Sequence, residues 1–213
     1  MPPQDVPAPA WGVVLPLKLL SHAKSRLSAY GDAARAELAL AFACDVVEAV
    51  RGCPAVQHVL VVTDDPLTAQ VLARPGVEVV PDRPAAGLDA AVEHGEALLR
   101  RRDRRLGVVA LAGDLPALRP QHLADVLAAV RGRALVPDAA GLGTTLLASD
   151  GAPLAPAYGP GSCGRHRASG AVELSAPDAL RRDVDTPADL HEALLLGVGP
   201  CTARVAERLL QPR

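Results

Sequence analysis

A basic loop near the start of the chain has the side chains to bind phosphate. The run LPLKLLSHAKSRL at residues 15–27 brings Lys18, Lys24 and Arg26 to the end of an apolar segment. A guanidinium gives bidentate contacts to phosphate, whereas the two ammonium groups act as point charges. The loop is therefore a candidate triphosphate site, and a solvated basic loop is the alternative.

Two acidic motifs have the side chains to bind a hard cation. Asp114 lies in GDLP at residues 113–116, directly after an apolar run, and Asp183 and Asp185 lie in DVDTPAD at residues 183–189. Carboxylate oxygens bind hard cations, and alternation along an extended segment puts Asp183 and Asp185 on the same side. Helix capping is the alternative for each aspartate. A DxD pattern is also found in nucleotide-sugar glycosyltransferases.

Two glycine-rich loops could bind an anion without a net positive charge. They are GLGTT at residues 141–145 and GPGS at residues 159–162. Glycine allows close approach of the backbone, so N–H groups and hydroxyls can contact phosphate or carboxylate. The run RHR at residues 165–167 would add charge that attracts an acidic substrate. A solvated helix face is the alternative for that run.

One further segment, Gly87-Leu88-Asp89, could hold the edge of a base. The Asp89 carboxylate can accept hydrogen bonds from an amino group and a ring N–H, which is what guanine offers. An aspartate at the start of a helix is normally a cap, so capping is again the alternative.

The elements that must position these residues alternate between strand and helix patterns. Apolar β-branched runs predict strands, and Ala- and Leu-rich segments between them predict crossover helices. This alternation predicts an α/β fold with a mainly parallel sheet covered on both faces, so functional residues should gather at the carboxyl ends of strands. The strands are predicted at 12–17, 56–63, 77–80, 107–112 and 134–136, and the helices at 33–51, 66–73, 88–102 and 120–131.

The chain is expected to form one catalytic domain over residues 11–197. Residues 1–10 are rich in proline and predict a disordered leader, and residues 198–213 predict a peripheral helix or tail.

The 22 basic and 24 acidic residues are mixed along the chain, and aromatic residues make up 2%, which argues against nucleic acid as a partner. No apolar run reaches the roughly 18 residues of a membrane span. The four cysteines form no CxxC pair, so we expect a reducing cytoplasm, and a homodimer is the expected assembly.

Taken in order, five segments resemble one enzyme family over nearly the whole chain. The sequence is similar to the phosphoenolpyruvate / 2-phospho-L-lactate guanylyltransferases of deazaflavin coenzyme (factor 420) biosynthesis. The most specific match runs from Gly159 to Leu174 together with DVDTPADL. The segments are LPLKLLSHAKSRL, AGDLPAL, GLGTTLL, YGPGSCGRHRASGAVEL and LRRDVDTPADL.

The resemblance implies a GT-A-like nucleotidyltransferase fold that uses Mg²⁺ and joins GMP from GTP to a phosphorylated three-carbon acid. It places the metal on Asp114 and Asp183. Lys24 and Arg26 would complete the catalytic set by stabilising the leaving pyrophosphate. The acid would contact Thr144, Gly159 and Ser162, and the nucleotide would contact Lys18, Lys24, Arg26, Gly87 and Asp89. Relatives usually carry Asn in the Gly-Leu-Asn turn, where this chain has Asp89.

Several alternatives stay open at the level of sequence. Phosphoenolpyruvate is the favoured acceptor because the Ala- and Arg-rich composition is typical of a GC-rich genome, but 2-phospho-L-lactate and 3-phosphoglycerate differ from it only slightly. A molybdopterin or sugar-phosphate nucleotidyltransferase shares the basic loop and the first aspartate. A glycosyltransferase could use Asp183 and Asp185 as its DxD. A non-catalytic nucleotide sensor or pathway scaffold would bind GTP without turnover.

Overall fold

The computed structural model describes residues 10–21, 24–83 and 85–210, and over these residues the apolar runs of the sequence form one seven-stranded sheet. Most strands consist of buried, β-branched or aliphatic residues, as expected when helices cover both faces. The strands are β1 (Trp11–Pro16), β2 (Val56–Val62), β3 (Val77–Val80), β4 (Gly107–Leu111), β5 (Arg133–Pro137), β6 (Thr144–Ser149) and β7 (Val172–Glu173).

Helices connect the strands, and some of them begin at a side-chain cap. The Asp65 carboxylate caps the helix Pro66–Leu72 by accepting from the backbone N–H of Thr68, and Thr186 and Asp189 form a reciprocal capping box at the start of the helix Pro187–Leu196. A 3-10 helix covers Ser25–Tyr30. The α-helices are α1 (Asp32–Arg51), α2 (Pro66–Leu72), α3 (Leu88–Arg102), α4 (Pro120–Ala129), α5 (Ser162–Ala168), α6 (Asp178–Arg181), α7 (Pro187–Leu196) and α8 (Pro200–Leu210).

The order of strands in the sheet is β3-β2-β1-β4-β6-β5-β7. Strands β3, β2, β1 and β4 run parallel, whereas β6 is antiparallel to both β4 and β5. The start of β6 therefore lies beside the end of β4, where Ala112 donates its backbone N–H to the carbonyl of Thr145 at 2.8 Å. The inserted antiparallel strand brings Thr144 to the edge where the parallel strands end.

Alternation along β1 divides the core between the two faces of the sheet. Val13 and Leu15 pack into a cluster with residues of α1 and α4, and Val14 packs on the opposite face with residues of α3. Gly95 seats α3 on the strand, because a Cβ at this position would lie 2.5 Å from a methyl carbon of Val14.

The predicted α/β fold with a mixed, mainly parallel sheet is confirmed. All five predicted strands and four predicted helices are present with small shifts at their ends. Strand β6 was not predicted, because its residues follow a glycine-rich run that was interpreted as a loop. Gly141, Leu142 and Gly143 of the predicted loop do lie in the turn of a β5–β6 hairpin, but Thr144 and Thr145 begin the strand.

The C-terminal segment contains a packed helix. The buried Asp45 carboxylate of α1 accepts from the backbone N–H groups of Cys201 and Thr202 at 3.0 and 2.8 Å, so it caps the first turn of α8. Residues 1–9 of the predicted leader and the last three residues of the chain lie outside the described residues. Across the described ranges, no helix combines the length and the apolar character that crossing a membrane requires.

Candidate active site

A cleft of about 390 Å³ opens where β1 and β4 end and β6 begins. It collects residues from segments that are far apart in the sequence, as expected at the carboxyl edge of a parallel sheet. Its polar lining includes six residues that the sequence singled out, namely Lys18, Lys24, Arg26, Asp114, Thr144 and Asp185. Thr68, Leu88 and Tyr158 also line it.

Lys24 joins the basic loop to both acidic motifs. Its ammonium group pairs with Asp114 and lies 2.7 Å from Asp185 Oδ1. Burial opposes the charge of Lys24, but the two carboxylates raise its pKa above the ordinary value. Lys24 has a φ of +55°, a left-handed conformation that a non-glycine residue seldom adopts, so these contacts hold it in a strained position.

Asp185 is the shared partner of the two cations. Arg26 Nη2 lies 2.8 Å from Asp185 Oδ2, on the opposite side of the carboxylate from Lys24. Burial alone would raise the pKa of Asp185, but the charges of Lys24 and Arg26 hold it below the ordinary value. Asp185 is therefore an ionised counter-charge, and it orients the two cations.

Asp183 has the opposite electrostatics. Burial first, and then the charges of Asp114 and Asp185, raise the pKa of Asp183 from 3.8 to about 7. The backbone N–H of Val184 donates to the carbonyl of Asp114 at 3.0 Å, which fixes the two acidic motifs side by side. The pair Asp114 and Asp183 thus holds more negative charge than its surroundings compensate.

These two aspartates fit a hard divalent cation. The Oδ1 atom of Asp114 is buried and has no hydrogen-bond partner, and the charge of Asp183 is poorly compensated. Over the described ranges, no three His, Cys, Asp or Glu side chains are grouped as a complete metal site. Mg²⁺ commonly takes only one or two carboxylates from the protein and completes its shell with water and substrate phosphates.

The first glycine-rich loop is closed by an aspartate rather than open to an anion. Asp138 accepts from the backbone N–H groups of Leu142 and Gly143 at 2.9 and 2.7 Å. The prediction that this backbone binds phosphate is therefore wrong for these two N–H groups, because the Asp138 carboxylate already occupies them. Thr144, which follows the loop, is the residue of this segment that lines the cleft.

Three side chains fix the backbone of the second glycine-rich loop. Asp89 Oδ1 accepts from the backbone N–H of Tyr158 at 2.8 Å, and His166 Nε2 lies 2.8 Å from the backbone nitrogen of Ala157. Arg165 donates to the carbonyls of Ala157, Tyr158 and Pro160. Side chains of α3 and of α5 therefore both hold the backbone of this loop.

Two sequence interpretations change with these contacts. The run at residues 165–167 was expected to attract an acidic substrate, but Arg165 binds loop carbonyls, His166 is fully buried and Arg167 pairs with Glu173. Asp89 is expected from the sequence to hydrogen-bond guanine, yet one of its oxygens accepts from the backbone N–H of Tyr158, beside the second glycine-rich loop. The side chain of Asp89 thus links the start of α3 to that loop.

The structure brings most of the predicted residues together. Asp183 lies beside Asp114, and the Ser162 hydroxyl donates to Thr144 Oγ1 at 3.3 Å. Gly159 has a φ of +106°, which only glycine adopts readily, and its carbonyl accepts from the backbone N–H of Ser162. Five predicted site residues are not among those that line the cleft itself, namely Gly87 at the N-cap of α3, Asp89, Gly159, Ser162 and Asp183.

Sequence reasoning missed His166 and the pairing role of Asp185. His166 Nδ1 lies 2.9 Å from Thr144 Oγ1, so this fully buried side chain contacts a residue of the cleft without lining the cleft itself. The spacing of Ser162 and His166, four residues apart on α5, could have indicated a shared helix face. Nothing in the sequence places that face against Thr144, which is 22 residues from His166.

Comparison with known proteins agrees with this geometry. The family model described as "Guanylyl transferase CofC like" matches residues 11–209. The phosphoenolpyruvate guanylyltransferase of Streptomyces coelicolor is 56% identical over 206 residues, which cover 94% of this chain and 97% of that protein. The phosphoenolpyruvate guanylyltransferase of Thermomonospora curvata is 52% identical over 204 residues, 93% of this chain and 90% of the relative.

A solved structure shows the same fold at low sequence identity. The crystal structure of a candidate nucleotide-diphospho-sugar transferase from Desulfovibrio desulfuricans G20 superposes with a TM-score of 0.68 at 18% identity. The match covers 92% of this chain and 95% of that chain. The predicted GT-A-like fold is therefore confirmed.

Proposed function

The chain belongs to the family of CofC-like guanylyl transferases, and on that premise we propose that it transfers GMP from GTP to phosphoenolpyruvate. The observation that carries the proposal is the cleft itself, which is lined by the three cations Lys18, Lys24 and Arg26 together with Asp114, Asp185 and Thr144. Such a cleft has groups for a triphosphate, for a cation and for a second anion.

The reaction exchanges one phosphoanhydride bond for another. A phosphate oxygen of phosphoenolpyruvate attacks the α-phosphorus of GTP in line, the bond from that phosphorus to the β-phosphate oxygen breaks, and pyrophosphate leaves. The products are enolpyruvyl-diphosphoguanosine and pyrophosphate. The attacking phosphate is largely ionised near neutral pH, so the chain needs no general base, and positioning and charge stabilisation supply the catalysis.

The two substrates would bind to different groups of the site, GTP to the cations and the acid to the hydroxyl-bearing residues. Lys24 stays protonated because Asp114 and Asp185 raise its pKa, so it can stabilise the pyrophosphate as it leaves. Arg26 is largely exposed at the mouth of the cleft and can contact the terminal phosphates. Thr144 and the loop that contains Gly159 and Ser162 hold the acid on the other side.

We assign Mg²⁺ to Asp114 and Asp183. The unpartnered Oδ1 of Asp114 and the raised pKa of Asp183 support this assignment. When bound, the ion would neutralise charge that develops on the α-phosphate. The Val184 to Asp114 backbone hydrogen bond fixes the two carboxylates side by side, so that together they would hold the ion beside the α-phosphate.

The choice of acceptor and pathway follows the relatives. The similar proteins of Streptomyces coelicolor and Thermomonospora curvata carry the name phosphoenolpyruvate guanylyltransferase, which favours that acid over 2-phospho-L-lactate and 3-phosphoglycerate. We therefore place the product in coenzyme F-420 biosynthesis.

All four cysteines are free thiols, which supports a cytoplasmic location. The ion pairs of Asp185 with Lys24 and Arg26 argue against its use in a glycosyltransferase DxD.

Pyrophosphate release tests the proposal. The purified chain is incubated with Mg²⁺, with GTP or ATP, and with each of the three acids separately, alongside Asp114→Asn and the exposed control Asp150→Asn. We expect release with GTP and phosphoenolpyruvate that Asp114→Asn loses and Asp150→Asn keeps. Equal release with Asp114→Asn, or no release with any acid, would overturn the assignment.

A further inference from the structure

The buried imidazole of His166 has a different fixed partner at each ring nitrogen. Nε2 lies 2.8 Å from the backbone nitrogen of Ala157, and Nδ1 lies 2.9 Å from Thr144 Oγ1. A backbone N–H only donates, so Nε2 must be the unprotonated acceptor. A neutral imidazole then carries its proton on Nδ1, and that N–H donates to Thr144.

This tautomer decides whether the Thr144 hydroxyl can donate a hydrogen bond to a ligand or only accept one. Ser162 Oγ also donates to Thr144 Oγ1, at 3.3 Å. A hydroxyl has two lone pairs and one proton, so two donors leave Thr144 only its own O–H to offer. Thr144 is among the residues that line the cleft, so the remaining proton is available to a ligand bound there.

We propose that His166 is a positioning residue that holds the Thr144 hydroxyl as a hydrogen-bond donor toward the anionic acid. This inference rests on the proposed function, since it concerns the same acid. With the other tautomer, Thr144 would donate to His166 and present a lone pair to the anion, which repels it. The partly buried ring of Tyr158 packs against His166 edge-on, with centroids 5.1 Å apart, which favours this orientation of the imidazole.

Two substitutions separate the two nitrogens of His166. In His166→Asn the amide N–H₂ lies close to the position of Nδ1 and can still donate to Thr144. In His166→Gln the amide oxygen can accept from Ala157, but the donor to Thr144 is lost. We expect His166→Gln to raise KM for phosphoenolpyruvate about tenfold, the effect of one misdirected hydrogen bond to an anion. KM for GTP should stay within about twofold, and His166→Asn should recover most of the loss.

Thr144→Val and a matched histidine control check that the effect passes through the hydroxyl. Combined with Thr144→Val, His166→Gln should raise KM for the acid no further, because the hydroxyl that it orients is gone. His191 is exposed on α7, so His191→Gln should leave both KM values unchanged. Additive effects of the two cleft substitutions, or an equal rise of KM for GTP, would overturn the proposal.

The tautomer can be measured in the wild-type protein without turnover. Nitrogen-15 NMR of the labelled histidines reports which ring nitrogen of His166 carries the proton, with His166→Gln identifying the signal by its loss. We expect a protonated Nδ1, whereas free neutral imidazole side chains favour a protonated Nε2. A protonated Nε2 at His166 would overturn the proposal. Absence of pyrophosphate release with every acid would instead overturn the proposed function and leave the NMR result standing.

Discussion

Asp183→Asn should stabilise the metal-free protein at neutral and alkaline pH while it abolishes turnover. Burial and the charges of Asp114 and Asp185 raise the pKa of Asp183 from 3.8 in the unfolded chain to about 7 in the folded one. The folded state therefore holds more protons between these values, and stability falls as pH rises from about 4 to about 7. Asparagine cannot ionise, so the variant avoids that loss.

The magnitude follows from the distance between the two pKa values. The pKa of Asp183 is 3.8 in the unfolded chain and about 7 in the folded one, and each unit of this difference is worth about 1.4 kcal/mol, which gives about 4 kcal/mol. Asp183 is only partly buried, and solvent screening reduces the figure to about 2 kcal/mol. For a chain of this size the gain at pH 8 amounts to about 4–8 °C in Tm.

Thermal unfolding of the wild type, Asp183→Asn and the exposed control Asp150→Asn, with EDTA at pH 4.5 and pH 8, measures the effect. We expect Asp183→Asn and the wild type to have nearly equal Tm at pH 4.5, and the variant to be more stable at pH 8. Added Mg²⁺ should reduce the advantage, because the ion stabilises the ionised wild type. A variant that is equally destabilised at both pH values would refute the reasoning.

Two further substitutions test the cation and the C-terminal helix. Lys24→Met should lower kcat at least about hundredfold, because the leaving pyrophosphate loses a preorganised charge, and unchanged kcat in the pyrophosphate assay would contradict that role. Asp45→Ala should lower the free energy of unfolding by about 2 kcal/mol, because α8 loses a buried cap that accepts from Cys201 and Thr202. Urea unfolding measures this loss, and an effect below about 0.5 kcal/mol would show that water replaces the cap.

The sequence predicted the elements whose patterns are local. Each predicted strand is an apolar run long enough to be buried, and the helices between them end at Gly, Pro or Asp signals. Strand β6 follows a glycine-rich turn and contains two threonines, so its local pattern did not distinguish it from a loop. Its place between β4 and β5 is set by pairing with residues more than 30 positions away at β4.

The candidate site was predictable as a set of residue types but not as a set of contacts. Asp114 and the basic loop were found because charged residues directly follow apolar strands. The use of Asp138 to close the first glycine-rich loop, and of Asp89 to hold the second, depends on tertiary geometry. His166 stands between two arginines in the sequence and looks like part of a charged surface, yet it is fully buried.

Transfer of label from GTP to the acid is the direct test of guanylyl transfer by this chain. GTP labelled at the α-phosphorus is incubated with the wild-type protein, Mg²⁺ and phosphoenolpyruvate, and the products are separated and identified by mass. We expect the label in the diphosphate-linked conjugate of guanosine and enolpyruvate, with unlabelled pyrophosphate in equal amount. Label that appears in GDP, or that stays in GTP while the acid is unchanged, would contradict it.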